Sequence, residues 1–343
     1  MPPRPFILVV NGRKVRQPVF VTGAPHSGAD LFARALKRTP GFHLTIGQPS
    51  VLSVVYAFAR TPSIQRGRDE AAATVLRDAF AQAWQVTPHA CLACRPECRL
   101  ARPGSTAGAC VDERRIVRYA DASPALLYCA DILAEAFPDA KIVQIVRDGR
   151  DVVSAMLADA EELAWFRRGV ENVDSEFPNP FFGVETPADL TAWRGLTLTG
   201  KCAMRWRGSV RKMARLRTSL DGDRLTTFRY EDVIGDPAAA AAQLSDFVGA
   251  QGGGPGSAGS RSGAGLAARA DAGPDCRDRP GGRGGTAPDR LRRLAPAGIG
   301  RGAAGLLPGV ILQVQRGEDQ RHMAERLRAV AHLAAVPRVV LLG

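Results

Sequence analysis

The chain opens with an apolar run, Phe6 to Val10, then Asn11-Gly12, then a second β-rich run ending in Val19-Phe20-Val21-Thr22-Gly23. Asn-Gly between apolar runs predicts a type I′ hairpin, because both residues tolerate positive φ. The second run passes into Gly23-Ala24-Pro25-His26-Ser27-Gly28, after which Leu31, Phe32, Ala35 and Leu36 recur at helical spacing. The order is strand, Gly-rich turn, helix. Further on, DILAEAFPDA predicts a helix stopped near Pro138, and KIVQIV is a continuous apolar run of the kind a buried parallel strand shows. A helix starting near Asp148-Gly149, an amphipathic basic helix over Trp206 to Leu220, a strand in LTTFRYED and a helix opened by Pro237 follow. Strands alternating with helices predict an α/β fold around a central parallel sheet.

After Gly249 the pattern stops. Residues 251–310 hold 17 of the 36 glycines and no sustained apolar period, too little burial to offset chain entropy, so disorder is expected there. A short helical tail is expected within residues 311–343. Two readings of this end stand: a natural low-complexity tail, or a frameshift in GC-rich DNA that overwrote the original C-terminus.

Composition sharpens the picture only slightly. The 343 residues are 45% apolar, enough for a sizeable core, and 46 basic against 34 acidic side chains leave a net charge of +12. Residues 251–343 carry 14 Arg against 7 Asp/Glu, so +7 lies in the tail and only +5 before it. That small excess suits a pocket for one polyanion better than a nucleic-acid surface. No apolar run approaches the roughly 18 residues of a membrane span, and Phe6 to Val10 is too short for a signal segment. A soluble cytoplasmic protein is therefore expected.

The Gly-rich turn carries the first candidate chemistry. A turn between a buried strand and a helix aims backbone N–H groups and a positive helix end at one spot. Gly23 and Gly28 keep the spacing of a nucleoside-triphosphatase loop, but Ala29 and Asp30 stand where Lys and Ser/Thr would bind terminal phosphate and magnesium, which argues against a kinase or ATPase.

Three segments together point elsewhere. PVFVTGAPHSGADLFARAL resembles the 5′-phosphosulfate loop of sulfotransferases. SPALLYCADILAEAFPDAKIVQIVRDGRDVVSAML resembles that family's 3′-phosphate signature, in which a strand delivers R-D-G-R-D. RWRGSVRKMARL followed by RLTTFRYEDVIGDPAAAAAQLSDFVG resembles its R-Y-E-D-L strand and following helix. The resemblance covers most of residues 18–250. It implies a P-loop-type three-layer fold over residues 1–250 and transfer of a sulfuryl group from 3′-phosphoadenosine 5′-phosphosulfate to a hydroxyl or amine of a glycan, lipid or small-molecule acceptor. Carried onto this chain, Gly23, Pro25, His26, Ser27 and Gly28 would hold the 5′-sulfophosphate. Arg147 and Ser154 would hold the 3′-phosphate, and His26 would be the catalytic cation at the breaking bond.

The departures fall on chemistry. His26 replaces the usual Arg or Lys; Ala29 and Asp30 replace two hydroxyls, and Asp30 brings negative charge towards an anion unless it turns away. Ser154 lies one position short of the family's serine. Gln48, in Gly47-Gln48-Pro49, stands where many members place a Glu base, and Gln cannot accept a proton. His43 and His89 are spare candidates. A catalytically impaired pseudoenzyme that binds a nucleotide or partner is the alternative reading.

Finally, Cys91, Cys94, Cys98 and Cys110 cluster in a polar insertion over about residues 88–118. With no export signal, thiols or metal are expected before disulfides. Cys91-x2-Cys94-x3-Cys98-x11-Cys110 suits a structural zinc knuckle, with free thiols and disulfides as the open alternatives.

Overall fold

A computed structural model describes residues 7–249 apart from 65, 88–93, 95–97, 100–108 and 168. The expectations for Cys91, His89, most of the Cys-rich insertion and both tail segments lie outside the described residues.

Asn11 and Gly12 adopt φ of 53° and 69°, as the I′ turn requires. The hairpin they close is shorter than its apolar flanks suggest: β1 is Val9–Val10 and β2 only Arg13–Lys14. The run beyond belongs to a separate strand, β3 (Val19–Gly23), at the centre of a five-stranded sheet. The Asn11 side chain anchors the turn, donating to Trp84 O at 2.9 Å and accepting from Val86 N at 2.9 Å.

The sheet runs β4 (Phe42–Thr45), β5 (Arg118–Asp121), β3, β6 (Lys141–Val146), β7 (Leu225–Arg229), with every neighbouring pair parallel. All residues of β3 are buried because helices cover both faces. Val19 and Val21 face α1 (Ala29–Arg38) and α10 (Pro237–Val248), meeting Phe32, Leu36, Leu244 and Val248. Phe20 points the other way, into an aromatic cluster with Phe80, Trp84 and Phe137 at ring distances of 5.1, 6.0 and 5.3 Å. On that face lie α2 (Pro49–Arg60), α3 (Asp69–Ala83) and α4 (Ala130–Ala136). The helix expected before Pro138 is thus α4, and α5 (Gly149–Leu157) starts where Asp148 caps it through Arg150 N at 2.8 Å.

A second run of elements, α6 (Ala160–Ala164), α7 (Pro187–Trp193) and α8 (Leu198–Ser219), closes the same side, whereas α9 (Tyr230–Gly235), after β7, turns Val233 to the opposite face with α1 and α10. The basic helix begins eight residues before Trp206 because Thr197 caps it, accepting from Gly200 N at 3.3 Å. Its Gly208 lies against Gly183, whose φ is +74°. A Cβ at Gly183 would stand 2.1 Å from Met204 O, a backbone atom that cannot swing aside. Gly183→Ala is therefore expected to destabilise the fold by about 3–5 kcal/mol, combining left-handed strain with overpacking. Urea denaturation would check it, and a loss below about 1 kcal/mol would show that this contact is slack.

Candidate active site

The parallel sheet brings its strand ends to one edge, where ligands of such sheets bind. At the centre of that edge β3 passes through Gly23 into the loop, and α1 begins at Gly28, whose φ is 95°. His26 is also left-handed, at φ 59°, so the loop turns back over the start of α1. The loop is tight: a Cβ on Gly23 would stand 2.4 Å from Ser27 Oγ, and Ser27 N donates to Ala24 O at 3.1 Å. Ser27 is 1% exposed and its Oγ has no hydrogen-bond partner. A buried orphan hydroxyl beside a helix start suits an anionic ligand.

Three segments far apart in sequence meet here. Arg147, just past β6, donates from Nη1 to His26 O at 3.1 Å and lies 4.3 Å over the ring of Tyr230. Its Nε is buried without a partner, and its link to Asp151 is long, at 3.7 Å. Asp148 does not compete for it, being held by Arg150 at 2.6 Å, a bond that keeps the Asp148 carboxyl below the usual carboxylate range. Tyr230 also covers Gly28, and Trp206 lies against Gly149 while donating to Arg147 O at 3.3 Å. The three signature segments therefore form one surface around the loop. Neither Tyr230 nor Trp206 stood out in the sequence as a site residue. Their signal is two glycines, Gly28 and Gly149, that a ring must approach.

The other predicted residues fall as follows. Gly23 and Pro25 are buried within the loop. Ser154 is exposed on α5, a turn beyond Asp151. Asp30 turns outward and pairs with Arg34 at 2.5 Å, so the repulsion that its sequence position suggests is not built into the loop. Gln48 is buried at the start of α2 and donates to Cys94 Sγ at 3.2 Å. His43 is buried in β4 against Tyr119, with ring centres 5.9 Å apart.

A cavity of about 310 Å³ opens beside the loop, lined among others by His26, Gly47, Tyr56, Ser123, Asp159 and Arg205. His26 Nε2 lies 3.1 Å from Asp159 Oδ2, a pairing across 133 positions that no local pattern announced. Arg205, 1% exposed, lies 4.1 Å over Phe181 and is ion-paired with Glu162. A larger cavity of about 630 Å³ runs along the edge strand β7 and does not include the loop, so the loop chemistry belongs to the smaller one.

The described residues lend the zinc expectation no support. Among the described residues no group of three or more His, Cys, Asp or Glu side chains is placed to hold a metal ion, and Cys94, Cys98 and Cys110 form no disulfide. The place of a cation is taken by Lys37, whose Nζ donates to Leu44 O at 2.7 Å and Cys98 Sγ at 3.1 Å, with Cys110 Sγ at 3.8 Å. Burial works against the Lys37 ammonium, but the sulfurs outweigh it and push its pKa up. The Cys94 hydrogen bond and then Lys37 pull the Cys98 thiol down to about 6.

Behind this cluster Asp121 is fully buried, accepts from Thr45 Oγ1 at 2.6 Å, and is pushed by burial up to about 7. Its folded form binds a proton more tightly than the unfolded chain, whose value is 3.8. The associated stability is full below the unfolded value and is lost as pH rises towards 7. Cys98 contributes oppositely, but only above about 6. Between pH 4 and 6, the parent is thus expected to lose stability relative to Asp121→Asn. Urea midpoints in that range check this, and a constant offset between the two proteins would contradict it.

A turn shaped for an anion at the centre of a parallel sheet edge, faced by an arginine from the next strand, defines the chain as an α/β protein of P-loop type. A family model described as the sulfotransferase family matches residues 18–251, and the chain belongs to that family. Similar solved structures include sulfotransferase domains from the Synechococcus PCC 7002 olefin synthase (15% identity, 68% of this chain and 72% of that one, TM-score 0.37) and from the curacin biosynthetic pathway (14%, 68% and 75%, 0.39). A sulfotransferase from Alicyclobacillus acidocaldarius is similar at 14% identity, with 68% and 81% covered and a TM-score of 0.36. No curated protein sequence matches the chain significantly. Family membership supports sulfuryl transfer as the reaction class and a nucleotide donor with an acceptor as its two substrates. Among the described residues no helix is long and apolar enough to cross a membrane.

Proposed function

We propose that the chain transfers a sulfuryl group from 3′-phosphoadenosine 5′-phosphosulfate to a hydroxyl or amine of a glycan, lipid or small-molecule acceptor. The observation that carries this reading is the convergence of two buried orphan donors, Ser27 Oγ and Arg147 Nε, on a helix-start loop. In this reading the backbone of Pro25 to Gly28 and the Ser27 hydroxyl hold the 5′-sulfophosphate. Arg147, pre-oriented on Tyr230 and with Ser154 beyond it, holds the 3′-phosphate as a charge-assisted partner. Sulfuryl transfer resembles phosphoryl transfer in needing an aligned in-line displacement and cations where charge develops, so positioning does most of the work. His26 lies on the wall of the cavity beside this loop. The acceptor enters through the cavity beside His26, whose volume of about 310 Å³ favours a small acceptor or one end of a larger one.

Incubating the full chain with sulfur-35-labelled donor and phenolic, glycan and lipid acceptors tests this reading. Labelled acceptor together with adenosine 3′,5′-bisphosphate is expected; absence of nucleotide binding overturns it. One observation favours the second reading, a nucleotide-binding pseudoenzyme: at the position where relatives place a Glu base, Gln48 is buried and spends its amide on Cys94. Tight nucleotide binding without turnover of any acceptor would support that reading.

A further inference from the structure

If Gln48 cannot accept a proton, the acceptor proton must go elsewhere. We propose that His26, oriented by Asp159, is the general base of this site, receiving the proton of the acceptor as its oxygen or nitrogen attacks sulfur. This rests on the sulfuryl-transfer reading above.

The position of His26 is held from two sides. A non-glycine residue in left-handed conformation is strained, and such strain persists only where the surroundings impose it. Here Arg147 fixes the His26 carbonyl at 3.1 Å, and Asp159 Oδ2 fixes the ring at 3.1 Å. Asp159 is itself held, because Oδ1 accepts from Glu161 N at 2.8 Å and Glu162 N at 3.3 Å, which leaves Oδ2 for the imidazole. A carboxylate facing Nε2 places the proton on that nitrogen in the neutral ring and leaves Nδ1 as the basic atom. The 31% exposure of the His26 side chain, on the wall of the acceptor cavity, keeps it accessible to an acceptor.

The other groups around the cavity fit the task less well. Glu162 is committed to the buried Arg205, and Asp121 and His43 are buried off the cavity wall. The charged groups facing His26 are therefore Asp159 at the ring and Arg147 at the carbonyl, with Glu161, Glu162 and Arg205 elsewhere on the cavity wall.

In the step itself the acceptor oxygen or nitrogen forms its bond to sulfur, and its proton passes to His26 Nδ1. The bond from sulfur to the bridging oxygen breaks, and its electron pair stays on the 5′-phosphate of the departing nucleotide. The imidazolium so formed is stabilised by Asp159 through Nε2. The proton returns to solvent when the nucleotide leaves.

The test uses the full chain carrying nitrogen-15-labelled histidine, with His26→Gln to assign the signal. His26 is expected as the Nε2–H tautomer, and Asp159→Asn is expected to destroy that preference, with Asp159→Glu restoring part of it. Calorimetry with adenosine 3′,5′-bisphosphate should show the Asp159→Asn affinity within about twofold of the parent. Release of that nucleotide from the donor, with water as acceptor, should fall about 100-fold in kcat with KM little changed. An Nδ1–H tautomer, or a tautomer unaltered by Asp159→Asn, overturns the inference while leaving the donor reading intact. A parent that does not bind the bisphosphate overturns the donor reading and this role with it.

Discussion

Arg147→Ala is expected to weaken binding of adenosine 3′,5′-bisphosphate by about 10- to 150-fold, the equivalent of one charge-assisted bond of roughly 1.5–3 kcal/mol. Adenosine 5′-monophosphate, which lacks the 3′-phosphate, should lose only a few-fold. The difference between the two nucleotides is the informative quantity, because the substitution also frees the His26 carbonyl and so disturbs both ligands alike. Arg147→Lys should recover part of the preference but not all: a compact ammonium keeps the charge and loses the planar fork. Titration calorimetry with both nucleotides checks this. A preference unchanged in Arg147→Ala would remove the 3′-phosphate from this residue, and the ring of Tyr230 would then support Arg147 only as a structural plank.

Much of this arrangement is legible in the sequence where long apolar runs meet turn residues. The strand, loop and helix at Val19–Arg38 are of that kind, as are the strand ending at Val146 and the Pro237 helix, which ends at Gly249 in left-handed conformation. The strands β4 and β5 are not, because the apolar–polar alternation of FHLT spans only four residues and RYAD shows neither an alternation nor a continuous apolar run. They are nonetheless almost wholly buried, and the fold pairs them through contacts that no local pattern shows, such as Thr45 Oγ1 donating to Asp121 Oδ2. The hairpin was overextended for the opposite reason. A β-rich run after Asn-Gly looks like its second strand, yet parallel pairing with β5 and β6 claims those residues. In the site, the loop and Arg147 follow from local motif, whereas Asp159, Arg205 and Tyr230 become partners only through the fold. The cysteine spacing shows the same limit: it reports on which thiols can converge, and not on the lysine that reaches Cys98 from α1.

Gly28→Ala is expected to unsettle both stability and donor affinity through a single ring. The added Cβ would stand 2.4 Å from Cδ2 of Tyr230, and the backbone there has φ of 95°, where an L side chain is strained. Strain alone costs about 1–2 kcal/mol, and overpacking adds about 1–3 kcal/mol more. The ring can retreat only by moving the surface on which Arg147 lies, so the loss of nucleotide affinity should accompany the loss of stability. A double-mutant cycle with Tyr230→Ala separates the two causes. In the Tyr230→Ala background the same glycine substitution should cost only the strain, leaving a coupling of about 1–3 kcal/mol, and its further effect on bisphosphate affinity should nearly vanish. Urea denaturation and calorimetry on the four proteins measure both quantities. Additive losses would mean that the ring yields freely, and the path drawn here from the R-Y-E-D segment through Tyr230 to Arg147 and the loop would then have to be abandoned.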